Sequence, residues 1–381
     1  MKIGIDAQRL FRRKKFGMDI AVFELIKHLK KIDQTNEYVV YVAPGVDHCI
    51  TEASNFTIRK IKNKLYPVWE QILLPIIVSK MKIDLLHCTA NTAPIWCKKP
   101  MILTLHDTIS LERRLKKPKP FYQYFGNMYR KILIPHIVKK AKHLITVSET
   151  EKQNIVQMLH VSPDLITVVH NGVDNKRYQP VTDSQTQDAF RKKYQLPDSY
   201  IAFIGNTDPR KNVDNTLRAY ADYLEKSDKK RKLVMLHNNP KAFESSVGKL
   251  HLKHLKENIK LLGYIEGEDM PAFYSLAEMF LYPSLREGFG MPVLEAMACG
   301  TPVITSNVSS MPEVGGDAVL YVSPVHYQEI TEQMLFLEAH PEIREKMIEA
   351  GFEQCEKLSW ADNAQKVLTV YQKVFEQLKH L

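Results

Sequence analysis

Two acids with seven residues between them, set among glycines ahead of a helix, are the residues of this 381-residue chain best spaced for chemistry. The string runs Glu287-Gly288-Phe289-Gly290-Met291-Pro292-Val293-Leu294-Glu295-Ala296-Met297-Ala298-Cys299-Gly300 and follows an apolar strand at Met279–Tyr282. Pro292 suits the first position of a helix and Gly300 its C-terminal stop. That reading puts Glu295 in the first helical turn and Glu287 in the loop before it. Gly288 and Gly290 let backbone N–H groups come close to a ligand. With the helix dipole behind them, those amides suit a diphosphate. The two carboxylates can then serve different hydroxyl-bearing parts of one ligand. Taken singly, Glu295 is an acid that favours a helix start, and Glu287 is a solvated loop residue. Taken whole, the string reads as a site.

A second motif, Ile204-Gly205-Asn206-Thr207-Asp208-Pro209-Arg210-Lys211-Asn212, follows a strand and precedes a helix beginning near Val213. Two adjacent cations at such a turn can neutralise a diphosphate leaving group. Arg210 offers a planar fork to phosphate oxygens and Lys211 a mobile point charge. The plainer alternative is a basic surface turn. No D-x-D metal motif is present, and Glu266-Gly267-Glu268-Asp269 reads as the loop and first turn capping a helix near Met270. No metal and no cofactor are therefore expected. Cations and oriented amides would have to stabilise the leaving group.

The elements that must position these residues alternate throughout. In the first half, strands are expected at Lys2–Asp6, Tyr38–Val42, Leu85–His87, Met101–His106 and Leu144–Ser148, with amphipathic helices such as Ile20–Lys31 and Glu149–Leu159 between them. The pattern restarts after Asn171-Gly172-Val173-Asp174 and a polar linker at Pro180–Gln187. Strands follow at Tyr200–Gly205, Lys232–His237, Ile259–Leu262, Met279–Tyr282, Pro302–Thr305 and Val319–Val322. Alternation of this kind implies parallel sheets covered on both faces, with ligands outside the carboxyl ends of the strands. The chain is long enough for two cores. The expected division is residues 1–178, residues 179–360, and a C-terminal helix within 361–381 that packs back on the first domain. Two doubly wound α/β domains predict one deep cleft.

With these motifs in view, the chain resembles the retaining GT-B glycosyltransferases of family 4, the glycosyl transferases group 1. The likeness is densest from Tyr200 to Val322. It implies two Rossmann-like domains facing across a cleft, the first for the acceptor and the second for a nucleotide-sugar donor. By resemblance, Glu287 approaches hydroxyls of the donor sugar and Glu295 binds the ribose. Phe289 and Gly290 offer backbone amides, Leu294 is an apolar position beside the donor, and Met291 and Gly205 join the donor-binding set. Arg210 and Lys211 match the Gly-x-x-x-Pro-Arg-Lys-Asn loop that holds the leaving group, although Asn206 stands where many members carry an arginine. His106, within Thr104-Leu105-His106-Asp107-Thr108, matches a histidine near the donor sugar, and its alternative is a core histidine. Gly17 matches a small residue facing the donor phosphate, without the denser glycine pair often found there. The Asn171-Gly172-Val173-Asp174 turn resembles the family's interdomain hinge.

Composition narrows the partners. Residues 1–178 hold 30 Lys/Arg and 15 Asp/Glu, while the remaining 203 residues hold 23 and 28. An anionic partner for the first half is expected, such as a membrane surface, a phosphate-bearing lipid or a nucleic acid; the plainer alternative is a solvated basic surface. Residues 113–142 contain ten Lys/Arg interleaved with Phe121, Tyr122, Tyr124, Phe125, Tyr129, Ile132, Leu133 and Ile134. That is the composition of an interfacial segment, or of a solvated helix with a packed inner face. No RRM, KH or helix-turn-helix signature supports nucleic acid. No apolar run is long enough to span a bilayer, the first strand shows no signal-peptide pattern, and five cysteines suggest neither a disulfide framework nor zinc. A cytoplasmic protein, peripheral at the inner membrane face, is the expectation.

The reading that follows is metal-independent, retaining transfer of a hexosyl unit from a nucleotide-diphosphate sugar to a hydroxyl of a glycan or polyprenyl-diphosphate-linked glycan. It fits polysaccharide or lipopolysaccharide synthesis. The Thr-Asp-Pro-Arg-Lys-Asn and Leu-His-Asp-Thr wording resembles subgroups labelled mannosyltransferases and tilts the donor to GDP-mannose. The rivals are a nucleotide-sugar 2-epimerase, a glycan phosphorylase, or a basic membrane- or nucleic-acid-binding protein on a degenerate transferase fold.

Overall fold

A computed structural model of the chain describes residues 1–63, 65–112, 121–237 and 239–380. These form two compact units, Met1–Asn171 with Trp360–Leu381, and Gly172–Ser359. The first unit holds seven parallel strands: β1 (Lys2–Asp6), β2 (Glu37–Val42), β3 (Phe56–Lys60), β4 (Leu85–Cys88), β5 (Met101–Thr104), β6 (His143–Thr146) and β7 (Ile166–Val168). Their order across the sheet is β3-β2-β1-β4-β5-β6-β7. The second holds six parallel strands: β8 (Tyr200–Ile204), β9 (Lys232–Leu236), β10 (Ile259–Leu262), β11 (Ala277–Tyr282), β12 (Val303–Ser306) and β13 (Leu320–Val322). Their order is β10-β9-β8-β11-β12-β13. Each order runs outward one way from its first strand, then jumps and runs the other way. The first sheet therefore has a switch point between β1 and β4, and the second has one between β8 and β11. Loops diverge there and leave a crevice at the carboxyl ends of the strands.

The central strands are apolar runs because helices cover both of their faces. β4, β5 and β6 are buried along their whole length. Two strands escape a sequence reading, and both are sheet edges. β3, Phe-Thr-Ile-Arg-Lys, is half-exposed and ends in two cations. β7 has only three residues, of which Ile166 alone is buried. Edge strands bury one face or less, so their hydrophobic signal is weak.

The division between units falls at Asn171/Gly172, ahead of the expected 178/179. The reason lies in the turn after it. The carbonyl of Asp174 accepts from the backbone N–H groups of Arg177 and Tyr178, and the Tyr178 ring packs 6.3 Å from that of Tyr274 in the second unit. Val173 N–H donates to the Leu358 carbonyl at 3.2 Å, so the two stretches that cross between units run side by side.

The last helix, Trp360–Lys379, belongs to the first unit. Its stripe Ala364, Val367, Leu368, Val370, Tyr371 and Val374 joins the core formed by Val22, Leu25, Ile26 and Leu29 of the Gly17–Ile32 helix and by residues of β1 and β2. At the bottom of this contact the Tyr371 hydroxyl lies 2.7 Å from Nδ1 of His87 on β4, and Nε2 of His87 lies 2.7 Å from the Thr104 hydroxyl on β5. Both ring nitrogens are thus used where the ring is fully buried. No described helix is long and apolar enough to cross a membrane.

Burial, with the nearby His106 ring, lowers the His87 pKa from 6.5 to about 3. The folded chain holds this ring neutral while the unfolded chain protonates it. Its contribution to stability is therefore whole above pH 6.5 and shrinks as pH falls from 6.5 toward 3. His87→Gln should flatten the decline of the thermal midpoint across that window. An unchanged slope would show that protonation of other groups controls the decline.

Candidate active site

The switch point of the second sheet brings the two motifs together, because one follows β8 and the other follows its neighbour β11. After β8, Gly205 turns against the sheet so closely that a Cβ would lie 2.5 Å from Cε of Met235. Asp208 then caps a short 3-10 turn, Pro209–Lys211, by accepting from the Arg210 N–H. Asn212 takes a left-handed backbone, φ 58°, and opens the Val213–Lys226 helix. Its side-chain amide donates to the carbonyls of Pro283 (2.9 Å) and Pro324 (2.6 Å), and Leu285 N–H donates to the Arg210 carbonyl at 2.8 Å. The cation loop is thereby stitched to the loop after β11.

Glu287 stands in that second loop, 9% exposed, within reach of both cations. Lys211 Nζ donates to Glu287 Oε1 at 2.7 Å and also contacts the Tyr282 hydroxyl, which ends β11. Arg210 Nη1 lies 3.6 Å from Glu287 Oε2 and donates to the Arg286 carbonyl at 3.0 Å. Burial by itself would raise the Glu287 carboxyl. The charges of Lys211 and Arg210, with hydrogen bonds from Lys211 and Ser284, outweigh it, and the pKa falls below the ordinary value. For Lys211, burial disfavours the charge but Glu287 and Tyr282 more than restore it, so its pKa is raised. Burial together with the Glu287 charge pushes Tyr282 up to about 12, despite the opposing Lys211 charge. At neutral pH the site thus holds one carboxylate and two cations in fixed positions.

Glu295 has different neighbours. The helix starts at Met291, with Gly290 at φ 116° as its N-cap. Pro292 is therefore the second helical residue and Glu295 the fifth, past the first turn where the sequence reading put it. The left-handed glycine closes the turn one residue early, and a Cβ on it would lie 2.3 Å from Cε of Met311. Glu295 Oε2 accepts from the Tyr274 hydroxyl at 2.8 Å. Burial raises its carboxyl, and hydrogen bonds from Tyr274 and Tyr178 and the charge of Arg177 offset only part of that. Leu294 and Phe289 are buried, while Met291 is half-buried.

Several site residues carry no motif of their own. Arg286 Nη1 donates to the Glu287 carbonyl at 2.7 Å and to the Ser309 hydroxyl at 3.1 Å. Ser309, in a left-handed conformation at φ 61°, accepts from the Glu287 N–H and donates to its carbonyl. Arg286 was visible beside Glu287. Ser309, Tyr274, Tyr178 and Arg177 were not, because only folding brings them to the acids. The cluster at Glu266–Asp269 also differs from its reading: Asp269 caps nothing with its side chain and instead binds Lys193 (2.6 Å) and the Tyr194 hydroxyl (2.7 Å). Among the described residues, no group of three His, Cys, Asp or Glu side chains could hold a metal ion.

The remaining two candidates belong to the first unit. β5 ends at Thr104, so His106 lies two residues past the strand. Its Nε2 lies 2.9 Å from the Thr89 carbonyl, which can only accept, and that fixes the proton on Nε2. Burial lowers its pKa and keeps it neutral. His106 lines a small pocket with Thr89, Asn171, Val22, Trp360 and Asn363. Gly17 is exposed and is the first residue of its helix, whose N-cap, Phe16, donates its N–H to Asp19.

Two doubly wound parallel sheets in one chain, with paired acids and cations at the switch point of the second, define the GT-B class of sugar transferases. The sucrose-phosphate synthase of Thermosynechococcus elongatus shares the fold, with a TM-score of 0.76 over 99% of both chains at 18% identity. Family models cover both halves: Glycosyltransferase Family 4 over residues 17–177 and Glycosyl transferases group 1 over residues 185–354. The chain is 30% identical to O-antigen chain mannosyltransferase B of Escherichia coli over 71% of its own length and 69% of that protein. It is 24% identical to the serotype-specific mannosyltransferase WbdA of Escherichia coli over 74% of its length, but that match spans only 34% of WbdA. The chain belongs to glycosyltransferase family 4, the glycosyl transferases group 1, and is a glycosyltransferase.

Two consequences of the electrostatics can be measured without any substrate. Lys211→Met leaves Glu287 buried beside only the more distant Arg210, and unfolding in denaturant should show a loss of about 3–5 kcal/mol. Adding Glu287→Gln to that variant should recover roughly half of the loss; strictly additive losses would mean the two groups do not act as a pair. Glu295 behaves oppositely. Its folded pKa is raised, so ionisation above pH 4.5 weighs against the folded state. Glu295→Gln should leave the ligand-free thermal midpoint at pH 7 unchanged or higher, and a clear drop would make the carboxylate a net stabiliser.

Proposed function

We propose that this glycosyltransferase moves mannose from GDP-mannose, with retention and without a metal ion, to a hydroxyl of a glycan or polyprenyl-diphosphate-linked glycan. The observation that carries the proposal is the buried Glu287–Lys211–Arg210 cluster at the switch point between β8 and β11. Lys211 has three N–H groups, and two are engaged by Glu287 and Tyr282. The third can meet a diphosphate oxygen together with the Arg210 fork. Phe289 and Gly290 add backbone N–H groups at the start of the Met291–Ala298 helix. Glu287, held as an anion by its cations, then grips donor-sugar hydroxyls. Glu295 takes the ribose, and Gly205 gives the backbone room for the phosphates, with Met291 and Leu294 beside them.

The chemistry this supports is same-face displacement. The bond from the anomeric carbon to the diphosphate oxygen breaks as the acceptor oxygen bonds to that carbon. The departing phosphate oxygen takes the acceptor's proton. Fixed cations stabilise the charge that develops on the leaving group, which is the work a divalent metal does in other transferases. No protein nucleophile is required. His106 and Gly17 in the first unit are assigned to the sugar and phosphate of the donor, and the rest of that unit to the acceptor. The mannose assignment draws on the Thr-Asp-Pro-Arg-Lys-Asn wording and on the mannosyltransferases among its relatives. We place the protein in the cytoplasm, in polysaccharide or lipopolysaccharide synthesis, with its basic first unit at an anionic membrane face.

Thermal shift against nucleotide sugars tests the donor. A ligand at ~100 times its Kd adds about 2.7 kcal/mol, or roughly 5–10 °C for a unit of this size. GDP-mannose should produce that shift and UDP-sugars should not; a shift with UDP-glucose alone would overturn the donor assignment. In transfer assays with the donor so identified and chelator present, Glu287→Ala and Lys211→Ala should each lose about 10²–10³-fold in kcat. Near-full activity in both variants would defeat the site. A product that is a sugar phosphate or an epimerised donor would replace the reaction itself.

A further inference from the structure

Away from the strand ends, three segments of the first unit meet in a way their sequence separation conceals. The helical run Trp69–Lys80, the loop around Trp96 and the Phe121–Val138 helix are tied together by Gln71. Its side-chain amide donates to the Ala93 carbonyl and the Tyr129 hydroxyl, both at 3.0 Å, and its carbonyl accepts from the Ile95 N–H at 2.9 Å. The inner faces of the three share one core, which includes Leu74, Val78, Leu133, Ile134 and Ile137. A helix with one buried stripe normally turns a polar face outward. These do not. Ile72 and Ile76, one turn apart, are 52% and 48% exposed; Met128 and Ile132, also one turn apart, are 39% and 56% exposed; Trp96 is 78% exposed.

The charge around this apolar surface has one sign. The described residues between 61 and 142 contain ten Lys/Arg and four Asp/Glu. One of the four, Glu70, is fully buried and accepts from Tyr66, Tyr129, Thr92 and Gln71, so it offers nothing to a partner. Lys80, Lys98, Lys131, Lys139 and Lys140 are exposed on or just after the same three segments. Lys140 also steadies the outermost one: its ammonium donates to the Ile95 carbonyl at 2.8 Å and sits 5.1 Å from the centre of the Trp96 ring. A tryptophan standing clear of the surface, aliphatic side chains behind it and lysines around them match a bilayer interface: apolar groups for the acyl boundary, cations for anionic headgroups. Residues 113–120, part of the basic segment noted in the sequence, lie outside the described residues.

We propose that Ile72, Ile76, Trp96, Met128 and Ile132, with the lysines around them, form a docking surface for an anionic lipid bilayer. The inference deepens the membrane placement given above by assigning it to side chains, and it rests on that placement alone. It stands independently of the donor and of the reaction.

Trp96 supplies the probe. Of the chain's three tryptophans, Trp69 and Trp360 are buried, so a change in emission on contact with lipid reports Trp96. The full chain should co-float with vesicles of phosphatidylcholine containing about a third phosphatidylglycerol, at least 10-fold more than with phosphatidylcholine alone, and its emission should shift to the blue. Ile76→Glu with Ile132→Glu keeps Trp96 and the lysines, and should lower co-flotation at least 10-fold and abolish the blue shift. Its thermal shift with nucleotide sugar should match that of the parent. Equal binding of parent and variant, binding that high salt removes with no emission change, or RNA binding in place of vesicle binding would each overturn the proposal. Vesicle binding with no donor-induced thermal shift would leave it standing and defeat the donor assignment instead.

Discussion

One buried ion pair governs the second unit. Glu287 and Lys211 come from loops after neighbouring strands and meet at 2.7 Å, with little solvent at either end. Such a pair is held only if the surroundings replace the water each charge has lost. Here they do: Tyr282 serves Lys211, while Arg210 adds a second cation to Glu287. The loops cannot shift without breaking these contacts. Asn212, bonded to the carbonyls of Pro283 and Pro324, and Ser309, bonded to the backbone of Glu287, oppose any such shift. A charge constellation held this way is organised before any ligand arrives, and that is the condition under which electrostatic stabilisation of a leaving group is strongest.

The two acids of the string have opposite electrostatic states, although both are equally buried. Glu287 faces cations and its pKa is lowered; Glu295 faces tyrosine hydroxyls and its pKa is raised. The difference comes from neighbours and not from depth. An acid among hydroxyls is a site for a polar, hydroxyl-bearing group. An acid among cations completes a charged cradle. This division of labour suits a ligand with a ribose at one end and a sugar attached through a diphosphate at the other.

The first unit is built on the same plan but spends its buried polar groups on structure. His87 bridges Tyr371 and Thr104, and so ties a helix from the far end of the chain to the sheet's centre. Glu70 gathers Tyr66, Tyr129, Thr92 and Gln71, and so fixes the junction from which Ile72, Ile76 and Trp96 project. Short polar contacts inside thus decide which apolar residues are left outside.

Much of this was legible in the residues, for identifiable reasons. All six strands of the second sheet read as apolar runs, since four of them are largely buried and turn signals bound them all. β3 and β7 did not, because edge strands alternate poorly or are too short. The string Glu287–Gly300 and the cation loop read as a site because glycine, paired acids and paired cations occur at a strand-to-helix turn, where local geometry alone restricts what they can do. The sequence by itself determined two parallel α/β sheets and the loops that carry the charges, since hydrophobic periodicity and turn chemistry are local properties. Only the tertiary structure decided that Lys211 pairs with Glu287, that Glu295 answers to Tyr274 and Tyr178, and that Ile72, Trp96 and Ile132 share one junction. Those contacts span from 21 to more than 100 residues of chain, and strand order, which no local pattern encodes, is what brings them together.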